Sequence, residues 1–167
     1  MASLSPAELR RLRWVLGVFI AGLVLSGVTA FPLVWELGLL NGWMGTGTSI
    51  GNALPGLGGW ISRVNAGLLE TEARNAYIFY GTDWLAFAHL VIATAFIGPF
   101  RDPVRNKWVL QFGLIACASV IPLAFICGPL RGIPFYWRLI DCSFGVIGAV
   151  PLLWALRIVE RAEARGR

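Results

Sequence analysis

The chain has 167 residues, of which 57% are hydrophobic and 14% charged, and its formal net charge at pH 7 is +5. A soluble domain is close to half apolar and about a quarter charged, so this composition leaves too little polar surface to cover a water-soluble globule. The mean hydropathy of +0.70 also excludes a disordered chain. The composition therefore predicts an integral membrane protein and excludes a water-soluble enzyme domain.

Four apolar segments are long enough to cross a hydrocarbon core, which takes about 20 helical residues. Their sequences are continuously apolar rather than alternating, which favours helices over the strands of a barrel. We expect an all-α polytopic membrane protein, a single membrane domain over residues 1–167 with four transmembrane helices in an up-down bundle. The predicted spans are about 14–35, 77–100, 108–128 and 135–154, and a long outer loop covers 36–76.

Basic residues predict the orientation of these spans. Most of them lie in the N-terminal segment, in the short loop at 101–107 and in the C-terminal segment, which the helix count places on one side. Because basic loops stay in the cytoplasm, we expect a multi-pass protein of the cell inner (plasma) membrane with both termini cytoplasmic. This bias accounts for the positive net charge, so no nucleic-acid partner is predicted.

The N-terminus also fits a second interpretation. Arginines at 10, 11 and 13, an apolar run and the small residues at 28–30 are typical of a signal peptide with its cleavage site. The apolar run continues to Trp35, which is longer than the hydrophobic region of a signal peptide. We therefore expect the first helix to be retained, with cleavage as the alternative.

The long outer loop divides into two halves. Residues 44–51 are rich in Gly and Thr, which predicts irregular structure. The second half carries apolar residues at helical spacing and charged residues elsewhere, which predicts an amphipathic helix. Loops of this length are often functional, so we expect a lid, a partner-contact surface or a structural cap. The apolar positions are Leu57, Trp60, Ile61, Val64 and Leu68.

Ionisable residues inside the predicted spans cost about 2.5–3.5 kcal/mol each on insertion scales, so each needs a partner or a role. Helical rise places them in the outer half of the bundle, with His89 near mid-membrane. We predict either an interhelical ion-pair network or a polar ligand pocket open to the outer side. A hydrogen bond from His89 to a neighbouring helix is expected. The candidate residues are Glu36, Asp83, His89, Arg131, Arg138 and Asp141.

Three functions are compatible with these features. The first is an accessory, scaffold or binding subunit, which explains why no catalytic motif is found and none of the residues is predicted to be catalytic. The second is a redox protein that binds haem or a quinone through His89, which is the one potential haem ligand. The third is a small transporter or proton relay. The expected partners are the lipid bilayer and either a second copy or another membrane subunit.

The three cysteines do not predict a metal site. The spacing of Cys117, Cys127 and Cys142 matches no zinc or redox motif, so we expect them to be buried as small apolar residues.

Four stretches resemble those of a family of small four-helix proteins of the bacterial inner membrane. The resemblance spans most of the chain and implies the four-helix fold. It implies no activity, because that family has none assigned. The stretches read LSGVTAFP at 25–32, TDWLAFAHLVIA at 82–93, RDPVRN at 101–106 and RGIPFYWRLIDCSFG at 131–145.

Overall fold

The all-α fold predicted from the sequence is confirmed. The structure, a computed structural model, describes residues 4–166 and contains helices and no strand in that range. A single 3-10 turn, Ala76–Phe79, precedes the fifth helix. The helices are α1 (Pro6–Ala30), α2 (Leu33–Met44), α3 (Ser49–Ala53), α4 (Pro55–Asn75), α5 (Tyr80–Ala95), α6 (Ile97–Arg101), α7 (Lys107–Leu130) and α8 (Phe135–Arg165).

Four helical stretches are long and apolar enough to cross a membrane. Among residues 4–166 the buried side chains are apolar and none is polar or charged, whereas many large apolar side chains are exposed. A surface of this kind suits a lipid environment, because soluble monomers rarely expose large contiguous apolar patches. The stretches are Pro6–Ala30, Pro55–Arg101, Lys107–Leu130 and Phe135–Arg165.

The first predicted span, 14–35, is divided between two helices. α1 ends at Ala30 and α2 begins at Leu33, since Pro32 has no backbone N–H to continue the hydrogen-bond ladder. The outer loop is predicted to begin at Glu36, but α2 continues through Gly38 and Gly42 to Met44. The non-helical part of the predicted outer loop 36–76 is therefore confined to residues 45–48 and to Leu54.

The amphipathic helix predicted in the second half of the outer loop is present as α4. Gly58 and Ile61 are buried on one face, whereas Glu70 and Arg74 are exposed and form an ion pair at 3.6 Å. The 3-10 turn connects α4 to α5 without an intervening loop. The second span is interrupted at Phe96, and the fourth continues to Arg165 rather than ending near residue 154.

The chain forms two compact units. The first comprises residues up to Gly22 and from Ile92 onward, and the second comprises Leu23–Val91. In the first unit the short turn between α7 and α8 makes these helices antiparallel neighbours. Their axes approach closely at two glycines. A Cβ atom on Gly145 would lie 2.5 Å from the Cys117 carbonyl oxygen, and one on Gly113 would lie 2.7 Å from Leu152 Cδ1.

The second unit contains a helical hairpin of α2 and α4. The Ser62 hydroxyl donates to Asn41 Oδ1 at 2.7 Å and accepts the Thr46 backbone N–H at 2.9 Å. This chain of hydrogen bonds joins both helices to the turn between them. Gly51 and Gly58 lie in backbone contact, since a Cβ on Gly58 would lie 2.8 Å from the Gly51 Cα. The tip of the hairpin is thus fixed by polar contacts and by small residues.

Candidate functional site

Three of the six candidate residues line one cavity in the first unit. Arg131, Arg138 and Asp141 surround a cavity of about 280 Å³ where α7 ends and α8 begins. The remaining wall is contributed mainly by α7. Its residues are Val120, Leu123, Ala124, Cys127, Gly128 and Ile133.

The turn between α7 and α8 has the geometry of a Schellman motif. The Ile133 N–H donates to the Gly128 carbonyl at 2.9 Å, and the Gly132 N–H donates to the Pro129 carbonyl at 3.1 Å. Gly132 has φ +68°, a left-handed conformation that a side chain would strain. Pro134 then precedes the first residue of α8. This turn sets where Arg131 and Arg138 lie relative to the end of α7.

Arg138 lies across the end of α7 because residue 128 is a glycine. A Cβ atom on Gly128 would collide with Arg138 Cδ and lie 2.8 Å from its Cγ. The guanidinium carbon is 5.2 Å from the centre of the Phe135 ring, a cation–π distance. Arg138 Nε is buried and has no hydrogen-bond partner among residues 4–166. The Arg138 side chain is therefore held in place by apolar contacts and by the Phe135 ring, and its Nε–H has no hydrogen-bond acceptor among these residues.

The charges of this cavity do not balance. Two guanidinium groups face a single carboxylate, that of Asp141. Within this unit, no described residue forms an ion pair with Arg131, Arg138 or Asp141. The network proposed for the six candidates stays a prediction, because the other three belong to the second unit. The cavity by itself is a cationic site bordered by apolar side chains.

In the second unit, Asp83 lines a different cavity, of about 290 Å³. A second carboxylate, that of Glu72 on α4, borders the same space together with Thr82. Glu72 is one of the charged residues of the amphipathic helix and is not among the six candidates predicted from the sequence. Glu36 is half-buried on α2 and is not part of this wall.

His89 is bonded within its own helix rather than to a neighbouring one. Its Nδ1 lies 2.8 Å from the Leu85 carbonyl oxygen, one turn earlier on α5. Its Cβ lies against α1, since a Cβ atom on Gly27 would be 3.2 Å away. The hydrogen bond that His89 forms is therefore within α5, and not to a neighbouring helix as the sequence predicted.

A charged cluster that the sequence reasoning missed lies at the opposite end of the first unit. Lys107 Nζ is 2.7 Å from Glu163 Oε2 and 3.7 Å from Glu160 Oε1. Arg165 donates to Glu8 at 2.9 Å. These pairs join the N-terminal segment, the loop at 101–107 and the C-terminal segment, so the three basic regions lie at one end of this unit.

The cysteines differ in their surroundings. Cys142 is buried and Cys117 half-buried, but Cys127 is exposed, so its predicted burial is wrong. Its position near the end of α7 opens it to the Arg138 cavity. Within residues 4–166, no three His, Cys, Asp or Glu side chains are grouped so that they could hold a metal ion.

No family model, curated protein or solved structure matches the chain.

Proposed function

We propose that the protein is a small integral membrane accessory or scaffold subunit, and that the Arg138 cavity receives an acidic side chain of a partner subunit. The observation that carries this proposal is the half-buried Arg138, which has no ion-pair partner in its own unit and an unsatisfied Nε. A charge within a membrane span is normally paired with an opposite charge. A partner carboxylate would supply that charge through two parallel N–H···O bonds.

The shape of the cavity supports the same proposal. Apolar residues of α7 border it on one side, and Leu123 is 61% exposed there. An incoming apolar helix would contact these residues while its acidic group meets the guanidinium. Arg131, exposed at the start of the turn, adds a second positive charge near the entrance.

The same proposal places the protein as a multi-pass protein of the bacterial inner membrane with cytoplasmic termini. Its support is the resemblance of the four sequence stretches and the position of the basic regions at one end of the first unit. Such an excess of Lys and Arg is typical of the cytoplasmic side. In this orientation the Arg138 cavity opens toward the outer side.

The test is the mass of the complex extracted from its own membrane in mild detergent and measured by native mass spectrometry. We expect the wild-type chain to carry a second protein or a second copy of itself, and Arg138→Leu to lose it. The matched control is Arg63→Gln, which removes an exposed arginine of α4. Melting curves of both variants show whether each is folded. A bare wild-type chain, or a partner retained equally by folded Arg138→Leu, contradicts the proposal.

A photo-crosslinking residue at position 123 locates the contact. We expect it to capture the same partner that native mass spectrometry detects. Position 153, which is also partly exposed but lies on α8 outside the cavity wall, is the control. Equal capture from both positions would show that the partner does not occupy the cavity.

A second candidate function is haem or quinone binding at His89. When Nδ1 carries the proton, it donates to the Leu85 carbonyl and leaves Nε2 as the accepting nitrogen of the ring. A histidine that binds iron commonly donates its other ring N–H to a carbonyl in this way. The native mass spectrum tests this candidate too, since a bound haem or quinone lost in His89→Phe would support it. The proton-relay alternative stays a prediction.

A further inference from the structure

A long groove runs along α1 in the first unit, at the end opposite the Arg138 cavity. Its volume is about 800 Å³. The wall is apolar over most of its length and carries basic side chains at one end. Among the residues that line it are Leu9, Arg10, Arg13, Gly17, Ala21 and Phe100.

The apolar part of the groove exists because α1 carries small residues on one side. A Cβ atom on Gly17 would lie 3.7 Å from Phe100 Cε2, so the Phe100 ring covers the space that a larger side chain would fill. Trp14 and Val18 also line the groove and are 74% and 68% exposed, which makes them its outer wall. The buried face of the same helix is formed by Leu12 and Leu16, and it lies outside the groove.

The basic end of the groove is formed by Arg10 and Arg13, which lie one turn apart on the same face of α1. Arg13 donates from Nε to the Phe100 carbonyl at 3.2 Å and from Nη2 to the Arg101 carbonyl at 3.4 Å. These bonds fix its position and use two of its five N–H groups. Arg10 is exposed and forms no hydrogen bond or ion pair with a described residue of this unit.

We propose that this groove binds one anionic phospholipid of the bilayer. Its phosphate lies between Arg10 and Arg13, and one acyl chain lies along Gly17 toward Ala21. From Arg10 to Ala21 the helix rises roughly 16 Å. One leaflet contributes half of a hydrocarbon core of about 30 Å, so the groove matches the depth of a single leaflet.

Charge complementarity predicts which class of lipid headgroup the groove binds. Two guanidinium groups attract a phosphate and repel an ammonium group, so an anionic headgroup is favoured over a zwitterionic one. Basic pockets beside transmembrane helices bind anionic headgroups for this reason. Trp14 lines the groove beside the arginines, and tryptophan side chains are enriched at the depth of the lipid headgroups. The apolar length of the groove requires an acyl chain, which free phosphate lacks.

The experiment is lipid retention by the full chain, measured by native mass spectrometry after titration with phosphatidylglycerol or phosphatidylethanolamine. We expect one phosphatidylglycerol to bind and to be preferred over phosphatidylethanolamine. Arg10→Gln should weaken its binding about fivefold, the effect of one basic side chain near an anionic headgroup. Arg11→Gln is the matched control, because it removes the same charge from a residue outside the groove.

A second variant tests the acyl-chain part of the groove. Ala21→Phe adds a ring at the deep end of the groove without changing either arginine. Because Ala21 is exposed, we expect the variant to fold. We expect this variant to bind phosphatidylglycerol more weakly. We also expect inorganic phosphate to be unable to displace the lipid from the wild-type protein. Equal loss in Arg10→Gln and Arg11→Gln, no preference for the anionic lipid, or displacement by phosphate would each overturn the proposal. None of these outcomes depends on a partner at the Arg138 cavity.

Discussion

Both carboxylate oxygens of Glu8 accept hydrogen bonds from Nη2 of Arg165, at 2.9 and 3.0 Å, although the residues are 157 positions apart in the chain. The same carboxylate also accepts the backbone N–H and the hydroxyl of Ser5, each at 2.9 Å. Ser5 and Glu8 thus form a capping box at the start of α1. The Glu8 side chain therefore caps the start of α1 and also links it to the C-terminal end of α8.

This arrangement predicts a pH dependence of stability. Glu8 precedes the apolar segment that begins at Trp14. The backbone hydrogen bond from Ser5 and the side-chain hydrogen bond from Arg165 lower the pKa of Glu8 from 4.5 to about 2. Because the folded pKa is the lower one, the stabilisation is complete above pH 4.5 and is lost as the pH falls toward 2. We expect the melting temperature in detergent to fall over this range, and to fall less in Glu8→Gln. Identical pH profiles would contradict the prediction.

The close approach of α7 and α8 predicts that a methyl group added at residue 145 destabilises the fold. Gly145→Ala places a Cβ against the Cys117 carbonyl oxygen, which is backbone and cannot move aside. Such overpacking costs about 1–3 kcal/mol, more than the roughly 0.5–1 kcal/mol that alanine gains over glycine within a helix. We expect a lower free energy of unfolding in mixed micelles.

The control for this prediction is Gly67→Ala in α4. No atom lies within 4 Å of the added methyl group, so only the gain in helix propensity remains. We expect this variant to be slightly more stable than the wild type. If Gly145→Ala were equally stabilised, the two helices would not approach as described.

The different surroundings of the cysteines predict an order of reaction with N-ethylmaleimide. In variants that retain one cysteine each, we expect Cys127 to react fastest and Cys142 slowest, with Cys117 between them. The maleimide attached to Cys127 would occupy the Arg138 cavity, so it should also displace the partner. Mass spectrometry of samples quenched at intervals gives the rates. A faster reaction of Cys142 would contradict the order.

The sequence predicted α7 and the apolar part of α8 well, because continuous apolarity over about 20 residues allows few alternatives. It did not predict the extension of α2 to Met44, because Glu36 interrupts the apolar run and a Gly/Thr-rich run follows at 44–51. The spacing of Ser5 and Glu8 could have revealed the capping box. The partnership with Arg165 could not be predicted, because a contact across 157 positions leaves no local pattern.

The candidate site was predicted only in part. Arg131, Arg138 and Asp141 are predictable because charged residues within a span need a partner or a role. The contributions of Cys127 and Gly128 depend on how the turn after α7 folds back, and periodicity alone does not give that geometry. Glu72 could not be predicted for a similar reason, because its cavity forms only when α4 runs directly into α5.

The proposed orientation predicts which loops face outward. In a variant without native cysteines, we expect a cysteine at Ser49 to react with an impermeant thiol reagent once the outer barrier of whole cells is opened. A cysteine at Arg105 should react only after the inner membrane is lysed. Both positions are exposed, so access to solvent does not differ between them. The reverse pattern would place the termini outside.

The pairing of Glu8 with Arg165 also has a consequence for biogenesis. Translation at 5–20 residues per second separates the emergence of these residues by roughly 8–30 s. The hydrogen bonds among Asn41, Thr46 and Ser62 join residues that emerge close together, so that hairpin can form while synthesis continues. The first helix must instead remain inserted without its contact to Arg165 until that residue has emerged. A chain truncated before residue 165 would never form this contact between α1 and α8.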